Sequence, residues 1–144
     1  MTQMLSREQR CALMAEAEPA ALTALADACL ADGVDVRVLV APEVGCVTVQ
    51  VREPVGAERF LLGDVLGCRA EVELAGHRGW AMRLGDDRAA TLAAAVLDAE
   101  AQAGRSRAGE VDALCRRVLA DREQREAREW AELAATVVEF EVLT

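Results

Sequence analysis

The sequence contains no lysine, asparagine, isoleucine or tyrosine, and its single histidine is His77. All 16 basic residues are therefore arginine, a bias that a GC-rich genome produces by itself. These absences exclude chemistry. Without lysine there is no Schiff base and no phosphate-loop ammonium, and without tyrosine there is no phenolic acid. One histidine cannot build a histidine metal cluster or a proton relay within one chain. Only two serines exist, Ser6 and Ser106, and neither sits in a Gly-x-Ser-x-Gly elbow. No phosphate-loop or dinucleotide glycine signature is present. The five cysteines, Cys11, Cys29, Cys46, Cys68 and Cys115, form no Cys-x-x-Cys pair and lack zinc-ribbon spacing. Each lies in an apolar pattern, as a small packing residue does.

Positive charge is also scarce. With 25 acidic residues the formal net charge is −9, which argues against partners built on phosphate, whether nucleic acid or anionic membrane. No run approaches the ~20 apolar residues of a spanning helix, and the first residues show no apolar signal core. These features predict a cytoplasmic protein with reduced thiols.

What is present is a 144-residue chain, 53% apolar with only three prolines, which reads as one domain over 1–144. Ser6 and Gln9 have capping-box spacing and open a helix to about Ala17. Pro19 suits the first turn of a second helix, whose Leu22, Leu25, Ala26, Cys29 and Leu30 share one face, with Gly33 at its end. The period then changes to two. Val34, Val36, Val38 and Val40 alternate with less apolar positions, as do Val47, Val49 and Val51, with Pro42-Glu43-Val44-Gly45 as a turn between them. Arg59–Leu62 reads as a short strand closed by Gly63-Asp64. Cys68–Leu74 and Trp80–Leu84 read as two more, joined by a hairpin loop over Ala75–Gly79. The short turns leave no room for crossovers, so the sheet is expected to be largely antiparallel.

Asp86 or Asp87 caps the next helix, which runs to about Ala103 before Gly104. A last helix follows Ser106 and ends near Ala135. Its first half carries an apolar stripe, but Asp121–Glu129 is charged on every side, as in a helix that projects or bridges. Val138, Phe140 and Val142 alternate with Glu139 and Glu141 and read as a closing strand. The expected fold is α+β: an antiparallel sheet of about five or six strands, an N-terminal helical hairpin and two C-terminal helices.

Candidate chemistry is sparse. Arg59, Asp64 and Arg69 lie near two glycines. They could hold a phosphate bidentately, or form a turn with an exposed ion pair. Gly85-Asp86-Asp87-Arg88 could bind a metal through substrate phosphates, or Asp87 could simply cap a helix. His77 reads as an exposed loop residue or a lone base. No catalytic residue and no metal set is assigned. Val138, Phe140 and Val142 are candidates either for a partner interface or for a closing strand of the chain's own sheet.

Three stretches taken in order carry a family resemblance. They are Val44–Gln50, then Ala57-Glu58-Arg59-Phe60-Leu61-Leu62-Gly63-Asp64, then Cys68-Arg69-Ala70-Glu71-Val72. With Gly79-Trp80, Gly85-Asp86-Asp87, Leu97-Asp98-Ala99 and the terminal Val138-Glu139-Phe140, they resemble the PhnG family across most of the chain. The Glu-Arg-Phe-x-x-Gly-Asp block is the most specific piece. The chain departs from the family pattern at Asp86, where the family has arginine, and at Thr91-Leu92, where it has Ala-Glu. It departs again at Cys68, where it has threonine, and at Leu13, where it has tryptophan. A contact made by the family arginine is therefore lost or moved here.

The resemblance implies an accessory subunit of the carbon–phosphorus lyase core complex of phosphonate catabolism. PhnG-type subunits act with PhnI, PhnH and PhnL to exchange the adenine of ATP for an alkyl phosphonate, giving ribose 1-phosphonate 5-triphosphate. A radical S-adenosylmethionine subunit with an iron–sulfur cluster, PhnJ, later breaks the carbon–phosphorus bond. The implied partners are a PhnI-type subunit first, then PhnH and PhnJ. The implied chain binds no cofactor itself and is not catalytic alone. The competing reading is a stand-alone homodimeric binding or regulatory domain.

Overall fold

The computed structural model describes residues 3–136. Four helices and three strands follow in the order α1 (Arg7–Glu16), α2 (Pro19–Leu30), β1 (Val36–Arg52), β2 (Arg59–Leu74), β3 (His77–Leu84), α3 (Arg88–Gln102) and α4 (Ala108–Ala134). The fold class is α+β, with one antiparallel sheet of order β1-β2-β3.

Local chemistry sets the helix starts. Ser6 accepts from Gln9 N at 3.1 Å, and Gln9 Oε1 accepts from Ser6 N at 2.9 Å, which closes the capping box of α1. Pro19 stands in the first turn of α2. Asp87 caps α3 by accepting from Ala90 N at 2.9 Å. After α3 the chain turns at Gly104, whose φ of +60° suits glycine.

α3 is the centre of the molecule. Every residue from Ala93 to Glu100 is buried, because the helix is enclosed by β2 and β3, α2, α1 and α4. Its alanines let these neighbours come close. At Gly79 the approach is closest: a Cβ there would lie 1.9 Å from Ala95 O and 2.6 Å from Ala99 N. The sheet presents Ala70, Val72, Leu74 and Ala81 to this helix, and Leu22, Cys29, Val111 and Cys115 close the other sides.

The strand count corrects the expectation of five or six: the described residues hold three long strands. The supposed turn at Pro42–Gly45 is interior to β1, whose 17 residues pair along the length of β2. Proline is tolerated there because β1 is an edge strand, and the register shifts beside Val40 absorb it. Gly63 likewise does not close a strand. Its φ of +144°, with a register shift from Val49↔Gly63 to Gln50↔Leu61, makes a bulge inside β2. The loop expected over Ala75–Gly79 is shorter. Ala75 and Gly76 alone, both with positive φ, turn the chain, and His77 already pairs with Leu74. The expected closing strand with Val138, Phe140 and Val142 lies outside the described residues.

Beyond the packed layers two elements extend outward. From 45 to 66 not one residue is buried, so β1 and β2 form a two-stranded arm reaching roughly 25 Å at the usual ~3.3 Å rise. The second is the far half of α4, exposed at every position from 123 to 136.

Candidate functional site

Buried charge gathers at one edge of the sheet. Asp98 is fully buried on α3. Its carboxylate accepts from Arg7 Nη2 at 2.8 Å, from Arg7 Nε at 3.2 Å and from Trp80 N at 2.9 Å. Arg7 also donates to Arg78 O at 3.2 Å. Two backbone groups of β3, Trp80 N and Arg78 O, are thereby satisfied by side chains from α3 and α1. The Asp98 carboxylate raises the Arg7 guanidinium further. Burial, with Asp98 adding to it, pushes the Cys11 thiol up to about 11.

Three further charged groups brace the helical layer. Arg10 donates to Leu5 O at 2.8 Å and to Gln102 Oε1 at 3.0 Å. Arg83 donates to Met14 O and to Ala17 O, satisfying the carbonyls that end α1. Glu100 Oε1 accepts from Arg107 N at 3.2 Å. Its other oxygen lies 3.3 Å from Arg105 Nε, within charge attraction but without hydrogen-bond alignment. Each group is tied to another element of the same chain, so the arrangement is a brace rather than a reacting centre. Among the described residues no three His, Cys, Asp or Glu side chains converge as a metal set.

The sequence candidates are not gathered in one place. Arg59 and Asp64 lie on β2 in the arm and do not form an ion pair with each other. Asp64 accepts from Thr48 Oγ1 at 2.9 Å. Arg59 stands directly across from Arg52. Both lie within β2, so the loop expected after Leu62 does not exist. Arg69 sits at the arm's root, where its Nε meets Glu43 Oε1 at 2.5 Å and is raised by that carboxylate. Asp87 is the cap of α3. His77 opens β3, exposed, with Nδ1 3.0 Å from Ala75 O.

Large exposed surfaces are the other feature. Cross-strand partners share a face, so the register sorts the arm. One face holds Val47 with Val65, Val49 with Gly63 and Val51 with Phe60. No charge interrupts it. It continues through the Gly45–Gly67–Leu84 row to β3. There it meets a groove of about 850 Å³ between α1 and β3, lined by Cys11, Ala12, Ala15, Trp80, Met82 and Leu84, with Glu8 and Glu16 beside it. The opposite face of the arm holds Thr48 with Asp64, Gln50 with Leu61 and Arg52 with Arg59. Phe60 is 47% exposed and Leu84 73%, and nothing in the described chain covers them.

Sequence reasoning missed Asp98, Glu100, Arg7 and Arg83. A usable signal existed: two acids inside an alanine-rich helix with little polar face must be buried, and buried acids need partners.

The geometry defines an α+β domain with an enclosed helical centre, internally paired buried charges and a large uncovered face. A model of the family described as phosphonate metabolism protein PhnG matches residues 5–144, and the chain belongs to that family. It is also 38% identical over 100 residues to a Rhizobium meliloti (strain 1021) protein named alpha-D-ribose 1-methylphosphonate 5-triphosphate synthase subunit PhnG. That match covers 69% of this chain and 64% of the relative, just under two thirds of its length. Among the described residues no helix is long and apolar enough to cross a membrane.

Proposed function

We propose that the chain is an accessory subunit of a ribose 1-methylphosphonate 5-triphosphate synthase. In this role it supports a PhnI-type subunit, with PhnH and PhnL, in replacing the adenine of ATP by an alkyl phosphonate. The observation that carries this reading is the combination of family membership with an uncovered apolar face and buried charges that all serve the fold. A subunit of this kind contributes surface rather than reacting groups. ATP and S-adenosylmethionine are then handled by other chains of the assembly, and the assembly is cytoplasmic. Val138, Phe140 and Val142 belong to the proposal as a second contact, carried beyond the projecting end of α4. Arg59, Asp64, Arg69 and Asp87 enter it as residues that shape contact surfaces, not as substrate ligands.

The test is adenine release from ATP and methylphosphonate by purified PhnI, PhnH and PhnL subunits, with and without this chain. The chain alone should release none, and adding it to the other subunits should raise the rate at least ~100-fold, about 2.7 kcal/mol of barrier. Turnover by the isolated chain would refute the reading, as would full activity of the other subunits without it.

A further inference from the structure

The arm is anomalous for a chain that stands alone. Isolated two-stranded ribbons are marginal in water, yet this one continues for seven residue rows from Cys46 to Arg52. Beyond Leu84 the strand β3 no longer accompanies it, and past one bond from Gly85 N to Leu66 O at 2.9 Å both backbone edges of the arm are unpaired among the described residues. Its apolar face carries no charge from Val47 to Phe60. Its other face ends in Arg52 directly opposite Arg59, a like-charge pair that disfavours the ribbon by itself. Neither arginine takes part in an ion pair among the described residues. The nearby Glu53 carboxylate is committed to the turn, where it accepts from Val55 N at 2.7 Å and from Gly56 N. The two guanidinium groups, with Gln50, border a polar recess of about 340 Å³.

Resting on the subunit reading above, we propose that this arm inserts into a cleft of a different polypeptide. One wall of that cleft is apolar and meets Val47, Val49, Val51 and Phe60. Its far end presents carboxylates to Arg52 and Arg59. Charge decides the occupant. A second copy would bring another net −9 against this one and would carry a like pair of unpaired arginines of its own. A nucleic acid would satisfy the two arginines but neither the valine face nor the net charge. A protein wall with acids at its end satisfies both faces at once, and the free edges allow strand addition along the cleft.

Cys46 reports on this directly, because it is the exposed cysteine of the five and lies on the arm. The full-length chain is co-expressed with the PhnI, PhnH and PhnJ subunits. The iodoacetamide reaction rate of Cys46 is then compared in the isolated chain and in the purified assembly. Parallel preparations carry Val49→Asp, the double change Arg52→Glu with Arg59→Glu, and the conservative double change to lysine. Protection of Cys46 by at least ~10-fold is expected in the assembly. Val49→Asp should cut the co-purified fraction by ~10-fold or more while the isolated chain keeps its melting temperature. The glutamate pair should weaken assembly, and the lysine pair should restore most of it. Equal Cys46 rates, or normal assembly of Val49→Asp, would overturn the arm inference and leave the subunit reading standing. A wild-type chain that joins none of the subunits would overturn both. A homodimer of the isolated chain with Cys46 already protected would assign the arm to a second copy and refute the proposal.

Discussion

α3 and the β1–β2 arm show two opposite ways of using apolar residues. In α3 eight consecutive residues are buried, including Asp98 and Glu100, and small alanines let five other elements close around them. In the arm 22 consecutive residues, from 45 to 66, include none that is buried. Val47, Val49 and Val51 are no less apolar than the residues of α3, but none of them is buried by the described residues. Apolarity in the helix stabilises the fold of this chain, whereas in the arm it stays accessible, as the proposed encounter with a partner requires. The same contrast governs charge. Asp98 is satisfied three times within the chain, while Arg52 and Arg59 face each other.

The contrast is broken most severely at Gly79. A Cβ there would collide with the α3 backbone at Ala95 and Ala99, so Gly79→Val must separate β3 from α3. Its cost should reach at least about 3 kcal/mol, the upper end for overpacking, measured by urea unfolding. Stability within ~1 kcal/mol of wild type would mean that the layers are not in contact there.

The Arg7–Asp98 pair separates burial from charge. Arg7→Ala leaves a buried carboxylate with one remaining donor and should cost about 3 kcal/mol. Asp98→Ala removes that charge, lets the half-exposed Arg7 turn to water and orphans only Trp80 N, a cost of about 2 kcal/mol. The order is the test. Asp98→Ala costing more than Arg7→Ala would show that the carboxylate is not isolated from water.

Alkaline pH acts on the helical layer. Cys11, Cys29 and Cys115 are each pushed up from 9.0 to about 11, chiefly by burial. The unfolded chain loses these protons near pH 9 while the folded chain holds them to about 11. The stability they lend is complete below pH 9 and is lost as the pH rises through 11. Melting temperatures recorded from pH 8 to 11 should therefore fall, and a flat profile would mean that these three thiols are not shielded in the folded chain.

On the arm, effects on the isolated chain should be the smallest. Phe60→Ala should change stability by no more than ~0.5 kcal/mol, as for a surface position, and Arg59→Ala should leave the melting temperature within a few degrees. A loss of several kcal/mol at Phe60 would mean that the arm packs against its own chain.

The helices were legible because their signals are local. Ser6 with Gln9, Pro19, Asp87 and Gly104 act within a turn of where they stand. The alternation of the valines was legible too, but not where strands ended. Pro42 and Gly63 read as punctuation, and only the edge position of β1 and the bulge in β2 show why neither breaks its strand. The burial of Asp98 had a local signal, but its pairing did not, because Arg7 lies 91 residues away, a separation that no motif spacing encodes. The Arg59–Asp64 block was found, but as a short strand closed by a turn at Gly63-Asp64. In the ribbon its charges fall on rows apart, and Arg59 meets Arg52 instead. The uncovered face emerges only from the pairing register, since its valines come from both strands.

Amide hydrogen exchange, measured on the isolated chain and on the same chain within the synthase assembly, tests the central claim most directly. In isolation the amides of α3 should be strongly protected while those of residues 45–66 exchange at least ~100-fold faster. In the assembly the α3 rates should be unchanged and the arm should become protected to a comparable degree. An arm that is equally protected in isolation, or that stays fast in the assembly, would contradict the account.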